Sequence, residues 1–402
     1  MSKIDKVALL TTSFPLLTET FVQREVRKYL SSDLNLEVHS IWRGEKKFEK
    51  WPIHRFQMLQ LIHLLFWIPY WSILKPSSLV GVLKPLFNVG CTYFQNWEEN
   101  LLGIAFGIIK ANDFKNRNIV KIHTIWATMP TSAALTIYKL TGIPYSMEGH
   151  AYDVFRGGGD CLLGVKLKHA RIVRTSCSST YDQLLNLLNK DSTKLLLIRR
   201  GLETVPTLNS RKIDWNPPFR ILSVGRLTAK KGYPEQFAIY KAMQRKKIAF
   251  TVKIIGGGEL EKPLRNLIKK LQLEKEVQLL GAQPFSTVEN FYKESQFFFF
   301  TGKIADNGDR DGFPNVLGEA MARGLIVCSS PVADVCSAID HGRTGFLCDI
   351  ENPEEWIEAL LFCQKERSSI LKIQEEARSW IEEHFLTEKN TKKLLNQVLG
   401  QI

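Results

Sequence analysis

The chain has 402 residues, 44% of them hydrophobic and 24% charged, and a formal net charge of +13. That is ample for a globular core and suggests two or three domains, while seven scattered cysteines without a C-x-x-C pair speak against a disulfide framework and for reduced thiols on the cytosolic side of a membrane. The charge is uneven, with 26 Lys/Arg against 16 Asp/Glu in residues 1–205, so an anionic partner is expected; without a zinc-finger or RNA-binding signature, an anionic lipid surface or a lipid-diphosphate acceptor fits better than nucleic acid.

Met1 to Lys6 leads straight into a strand pattern and predicts no secretory leader. Lys6 to Thr11 is an apolar run of the kind found in buried parallel strands. Thr18 reads as an N-cap, followed by an amphipathic helix through Leu30. A strand, a turn and a helix N-terminus in that order receive anions well, but the glycines of a dinucleotide fingerprint are missing. Leu34 to Ile41 alternates with period two and predicts the next strand.

Residues 51–110 are rich in Trp, Leu and Ile, and Phe56 to Leu74 carries no Asp, Glu, Lys or Arg. Core helices are the leading expectation, with an interfacial helix and a true span as the other readings. Gln57, Gln60, His63, Pro69 and Ser72 weigh against a span. Trp51, Trp67, Trp71 and Trp97, flanked by Lys75, Lys84 and Lys110, suit a membrane interface.

Strands are predicted at Asn118–His123 and Ile143–Met147, with a helix at Thr131–Leu140 between them. Glu148-Gly149-His150-Ala151-Tyr152-Asp153 then lies at a strand's C-terminal end, where open α/β sheets place their sites. His150 is the candidate there, with Asp153 three residues on; His123 reads as structural. Two more strands, Arg171–Ser176 and Lys194–Ile198, precede Arg199-Arg200-Gly201, which ends the first domain. Thr204 to Pro218, with three prolines and no apolar period, is a linker.

The second domain opens with a strand at Phe219–Gly225. Arg226 at its end and Lys231 at the next helix start could clamp one diphosphate, the first as a forked donor set and the second as a point charge. Further strands are expected at Phe250–Ile255, Glu276–Leu280, Gln296–Phe300 and Leu325–Ser329, alternating with helices in the doubly wound pattern. Asp309 to Gly324 reads as a loop that becomes a short helix, with Pro314 in its first turn and Gly324 at its stop. Asp311 lies in that loop and Glu319 about one turn inside the helix. Two carboxylates at fixed separation beside unpaired helix amides suit a polyhydroxylated, phosphorylated ligand such as a sugar nucleotide. Charge-rich helices close the chain.

The stretch Gly308-Asp309-Arg310-Asp311-Gly312-Phe313-Pro314, with Glu319-Ala320-Met321-Ala322, resembles the acidic-x7-acidic signature of the retaining glycosyltransferases of family 4, in the branch that builds bacterial exopolysaccharide and lipopolysaccharide. Asp311 stands where that family usually has Glu. Gly225-Arg226-Leu227 through Lys231-Gly232 matches the family's Gly-Arg-Leu-x3-Lys-Gly, His150-Ala151-Tyr152-Asp153 its His-Ala-x-Asp, Thr18-Glu19-Thr20-Phe21 its opening segment, and Gly342 to Leu347 its Gly-x-x-Gly-Phe-Leu hairpin. The resemblance implies a GT-B fold, two Rossmann-like doubly wound domains facing a central cleft. Residues 1–205 would form the acceptor-side domain with a hydrophobic helical insert near 51–110, residues 206–380 the nucleotide-sugar domain, and residues 381–402 a helix returning to the first domain.

By resemblance, Asp311 and the backbone of Gly312, Phe313, Pro314, Asn315 and Val316 hold the donor sugar, and Glu319 the ribose diol. Arg226 and Lys231 bind the donor diphosphate, His150 reaches the sugar, and Ala282 and Gln283 lie beside the base. Thr18, Glu19, Thr20 and Asp153 would serve the acceptor side. The expected activity is retaining transfer of a hexosyl group to a glycan or lipid-linked acceptor in surface polysaccharide biosynthesis. No cofactor or metal is expected, since Asp309-x-Asp311 lacks a His/Cys ligand cluster and Arg226 and Lys231 already supply cations for the leaving group. A nucleotide-sugar epimerase of the same fold and a non-catalytic sugar-nucleotide-binding subunit are the alternatives. The expected place of work is the cytoplasm, with peripheral contact to the inner face of the membrane.

Overall fold

The computed structural model describes residues 6–16, 19–88, 90–91, 93–207, 214–332 and 334–399. The chain divides into two compact units, Met1–Arg200 with Thr387–Ile402, and Gly201–Leu386.

The first unit is built on an eight-stranded sheet: β1 Lys6–Phe14, β2 Leu36–Gly44, β3 Lys47–Phe48, β4 Trp51–Arg55, β5 Ile119–Thr124, β6 Tyr145–Glu148, β7 Ile172–Thr175 and β8 Leu195–Leu197. Their order is β3-β4-β2-β1-β5-β6-β7-β8, and only the short β3–β4 pair is antiparallel. Successive residues of β1 feed opposite faces of the sheet, as strand geometry requires. Ala8 and Leu10 pack with Ile122, Phe106 and Ala133 on one side. Val7 and Leu9 pack with Val22, Val26 and Tyr29, and with Leu394 and Val398 from the chain's end, on the other. Lys121 donates its ammonium to the Val398 carbonyl, which ties the last turn to β5.

Helices Phe94–Asn116 and Met129–Thr141 lie close together on the first of these faces. The glycines of the longer helix permit the approach. A Cβ on Gly103 would stand 2.2 Å from the Met129 carbonyl oxygen, and one on Gly107 would stand 2.5 Å from the Thr136 Cβ. Asn100, Asp160 and Lys166 fasten the same helices. The fully buried Lys166 donates to Asp160 at 2.6 Å, to Asn100 at 2.7 Å and to the Ala127 carbonyl at 2.7 Å.

The second unit has six parallel strands: β9 Phe219–Val224, β10 Phe250–Ile255, β11 Val277–Leu279, β12 Phe297–Phe300, β13 Ile326–Ser329 and β14 Phe346–Leu347. Their order is β11-β10-β9-β12-β13-β14, which is the 3-2-1-4-5-6 order of a dinucleotide-fold sheet. The unbroken apolar run Phe297–Phe300 is buried along its whole length, as expected for a central strand covered on both faces.

Several expectations need correction. Thr18, expected as an N-cap, lies outside the described residues; the helix runs Thr20–Leu30 with Glu19 at its N-cap. Pro314 is the N-cap of helix Asn315–Ala322 rather than a residue of its first turn. Of the three readings of Phe56–Leu74, the span fails: the stretch holds a 3-10 segment, Met58–His63, followed by helix Leu64–Leu74. No helix among the described residues is long and apolar enough to cross a membrane. Gly342–Leu347 turns into β14, which pairs in parallel with β13, so it feeds a sheet edge instead of closing a hairpin. The cysteines are not all reduced: Cys91 and Cys161 are joined, while Cys328, Cys348 and Cys363 are buried thiols. Their separation of 70 residues carries no local pattern, and it is the packing of Asn96 against Asp160 and the Cys161 amide that brings them together.

Candidate functional site

In the second unit every candidate residue lies beyond the carboxyl end of a parallel strand. The sheet order reverses between β9 and β12, and ligands of open α/β sheets bind at such a switch point. Arg226 and Lys231 follow β9, and the Asp309–Glu319 stretch follows β12, so the sequence order of the strands brings these two segments together.

Lys231 donates to Asp311 Oδ2 at 2.7 Å. Lys230 stands 3.6 Å from Asp311 Oδ1 and 3.0 Å from Asp309 Oδ1. Burial alone would raise the Asp311 pKa, but Lys231, Lys230 and Arg226 together hold it below the usual carboxylate range. Asp311 therefore stays ionised, and Arg226 presents an exposed guanidinium beside it. Gly232 sets this corner. Its φ is +63°, and a Cβ there would lie 1.9 Å from the Thr301 carbonyl oxygen, so no other residue fits without displacing backbone. The Thr301 hydroxyl in turn donates to the Lys231 carbonyl at 3.1 Å.

Gly312 is half-buried, and the helix Asn315–Ala322 begins three residues later. Its first-turn amides, those of Asn315 and Val316 among them, precede any i−4 acceptor within the helix. Phe313 is committed to packing, with Trp380 at 5.6 Å and Phe385 at 4.9 Å between ring centroids, so only its backbone can serve a ligand. Glu319 is buried one turn in and accepts from the Tyr292 hydroxyl at 3.2 Å. Ala282 and Gln283 follow β11 and are exposed, Gln283 donating back to the Leu280 carbonyl at 2.7 Å. The arrangement offers cations, free helix amides and two carboxylates, which is chemistry for a phosphorylated polyol.

In the first unit His150 follows β6 and is buried. Its Nδ1 pairs with the Ser176 hydroxyl at 3.1 Å, and its Nε2 lies 2.8 Å from Glu148 Oε2 and 2.9 Å from Arg200. Burial lowers the His150 pKa, Arg200 lowers it further, and Glu148 opposes both in part, so the ring is neutral. Asp153 is buried as well, and its two oxygens accept the backbone amides of His150 at 3.0 Å and Ala127 at 2.8 Å. That geometry makes it an orienter of the His150 loop and leaves its carboxylate little reach toward an acceptor. Glu19 and Thr20 are half-buried at a helix N-terminus after β1.

Sequence reasoning missed the charges around His150. Glu148 is fully buried; it accepts from Arg174 at 2.6 Å and Arg200 at 2.8 Å, and His123 Nε2 lies 3.2 Å away. Burial would raise the Glu148 pKa, but Arg174 and Arg200 carry it well below the carboxylate range. Arg174 also makes a two-pronged contact with Glu25 at 2.6 and 3.1 Å. Two carboxylates thus face two guanidiniums. The available signal was a charge on each of two short strands, Glu148 at the end of β6 and Arg174 within β7, because a charge in such a place needs a buried partner.

One group in the described residues could offer three donor atoms to a metal: Glu37, His39 and His54, whose ligand atoms lie within 4.8 Å of one another. Its carboxylate oxygens already accept from Lys6 at 3.1 Å and Arg117 at 2.7 Å, so a metal would have to displace cations.

Residues 208–380 match the family model of the glycosyl transferases group 1. Over 94% of its length the chain is 25% identical to the amylovoran biosynthesis glycosyltransferase AmsK of Erwinia amylovora, covering 96% of that protein. Among solved structures, it is similar to the lipopolysaccharide outer core galactosyltransferase WaaB, with a TM-score of 0.68 at 15% identity, covering 99% of this chain and 100% of that one. Anabaena HepE in complex with UDP gives a TM-score of 0.69 at 14% identity, with the same coverage. At such identities these two likenesses concern the fold, which is GT-B.

Proposed function

We propose that the chain, whose residues 208–380 match the group 1 glycosyl transferases, moves a hexosyl group from a nucleotide-diphosphate sugar to a glycan or lipid-linked acceptor in surface polysaccharide biosynthesis. The observation that carries this reading is the Lys231–Asp311 contact beside Arg226 at the switch point of the second unit's sheet. The donor diphosphate takes Arg226 and the remaining donors of Lys231. Asp311 and the Gly312–Val316 backbone take the sugar hydroxyls, and Glu319 accepts the ribose diol. The named activity of AmsK supports the polysaccharide assignment, and UDP in the HepE structure supports a nucleotide donor.

Transfer proceeds with retention. The bond from the anomeric carbon to the diphosphate breaks with its electron pair leaving on the phosphate oxygen, and Arg226 and Lys231 stabilise that charge. The acceptor oxygen bonds to the anomeric carbon on the face being vacated, and its proton passes to the departing diphosphate. No metal enters this scheme: Asp309 and Asp311 are neutralised by Lys230 and Lys231, which stand where a divalent cation would have to bind.

The place of action is a membrane surface, in peripheral contact with anionic lipid. Eleven of the eighteen exposed large hydrophobic side chains among the described residues fall between Leu59 and Leu101, and residues 50–97 contain Lys and Arg but no Asp or Glu. An apolar, basic surface of this kind suits an anionic bilayer interface.

Replacing Arg226 or Lys231 with Ala is expected to lower kcat by roughly 10²–10³-fold, the usual effect of removing one preorganised stabiliser of a developing negative charge. Near-normal turnover by both variants in a donor-consumption assay would defeat the assignment. Product analysis in acceptor-free buffer separates the reading from an epimerase, which would convert the donor unaided.

A further inference from the structure

We propose that a basic cavity at the edge of the first unit's sheet is a seat for the phosphate headgroup of an anionic membrane lipid. This deepens the membrane contact proposed above and rests on it. The cavity has a volume of about 420 Å³ and is bordered by β4, by His39 of β2 and by helix Phe94–Asn116. Lys46, Arg55, Lys110 and Arg117 line it, and Asp113 is the one acid among its lining residues. Arg117 is engaged by Glu37 at 2.7 Å and approaches Asp113 at 3.7 Å. Lys46, Arg55 and Lys110 are the cations that remain for a ligand, so the cavity is complementary to an anion.

What distinguishes a lipid headgroup from a free anion is the rim. Gln57 and Gln60 line the cavity, and the 3-10 segment Met58–His63 that starts there leaves Leu59 85% exposed and Ile62 66% exposed. Leu65, Phe66 and Ile73 of the following helix continue the apolar surface. A phosphate in the cavity would therefore have hydrocarbon-compatible side chains at its mouth, which is the layout an amphiphile requires. Helices Leu64–Leu74 and Pro76–Asn88 are of a length to lie in the interfacial plane, with their buried residues Trp71, Leu79, Val82 and Leu86 holding them to the unit. The cavity shares no residue with the His150 cluster, so it is not part of the site described above.

The test is co-sedimentation of the full chain with vesicles of mixed phosphatidylglycerol and phosphatidylcholine, against phosphatidylcholine alone. Binding to the anionic vesicles only is expected. Arg55→Gln and Lys110→Gln should each weaken it about five-fold, and together about 25-fold, the ordinary contribution of a basic residue at an anionic surface. Leu59→Ser with Ile62→Ser should weaken it as well. Unchanged vesicle binding by the Arg55→Gln/Lys110→Gln protein, at a wild-type melting temperature, would overturn the proposal, as would equal binding to phosphatidylcholine. A melting-temperature rise with inorganic phosphate or diphosphate in a protein that does not bind vesicles would reassign the cavity to a free anion and overturn the lipid. Turnover with a water-soluble acceptor is read in parallel: its retention in the cavity variants separates this seat from the transfer chemistry, and its absence in the wild type would sink the activity while leaving the vesicle result to stand.

Discussion

Asp311 shows how one side chain is shaped by its neighbours. It is one methylene shorter than the Glu usual at this position of the resembled family, yet Lys230 and Lys231 converge on it, and the charge they supply outweighs the cost of burial. His39 shows the opposite balance. It is buried against β4, stacked on His54 at 4.7 Å, and burial pulls its pKa down to about 4, with Glu37 opposing only in part. Its Nε2 is 3.6 Å from Glu37 Oε2, too far for a hydrogen bond. The unfolded chain takes up a proton at this residue as pH falls through the ordinary histidine value of 6.5, and the folded chain does so only near 4. The folded state is therefore penalised progressively between those values, and the penalty levels off below the lower one. His39→Gln should remove about 2 kcal/mol of the stability loss between pH 7 and pH 5. Urea midpoints of both proteins at the two pH values measure it, and equal slopes with pH would contradict it.

At the scale of elements, the helix pair Phe94–Asn116 and Met129–Thr141 is held by contact too close for side chains at Gly103 and Gly107. Gly107→Val should wedge the pair apart, since Thr136 and the Ala133 carbonyl occupy the space, at a cost of about 1–3 kcal/mol from overpacking. Thermal unfolding reads this directly, and an unchanged midpoint would mean that the helices separate freely. The 58–88 segment behaves differently, burying one stripe of side chains while leaving Leu59, Leu65 and Ile73 in the open. Its composition alone left core, interface and span readings open. The change from 3-10 to α-helix at His63 and the end of the helix at Leu74 leave no helix among the described residues long and apolar enough for a span.

For the molecule as a whole, a ligand that binds only the folded state must raise its stability. The nucleotide of the true donor, at a hundred times its Kd, should add about 2.7 kcal/mol. A melting-temperature screen of nucleotide sugars would identify it, and the rise should vanish in the Arg226→Ala protein. If no nucleotide sugar stabilises the wild type, the donor assignment fails.

Much of this protein was legible in its residues because the relevant signals are local. The apolar run of β1, the loop-to-helix stretch around Asp311 and Glu319, and the Arg226–Lys231 spacing each specify backbone and chemistry within a dozen positions. Those local signals sufficed for the doubly wound class and for the candidate residues that the fold gathers at the switch point of the second unit's sheet. Three features depended on the folded chain: the Glu148–Arg174–Glu25 network, the Cys91–Cys161 bridge and the basic cavity under the apolar helices. Each joins residues tens of positions apart, and a buried charge, a thiol or a surface lysine has the same sequence signature whether or not its partner is near. Only packing decides who that partner is, because the distances over which these groups interact are a few ångströms in space and unrelated to separation along the chain.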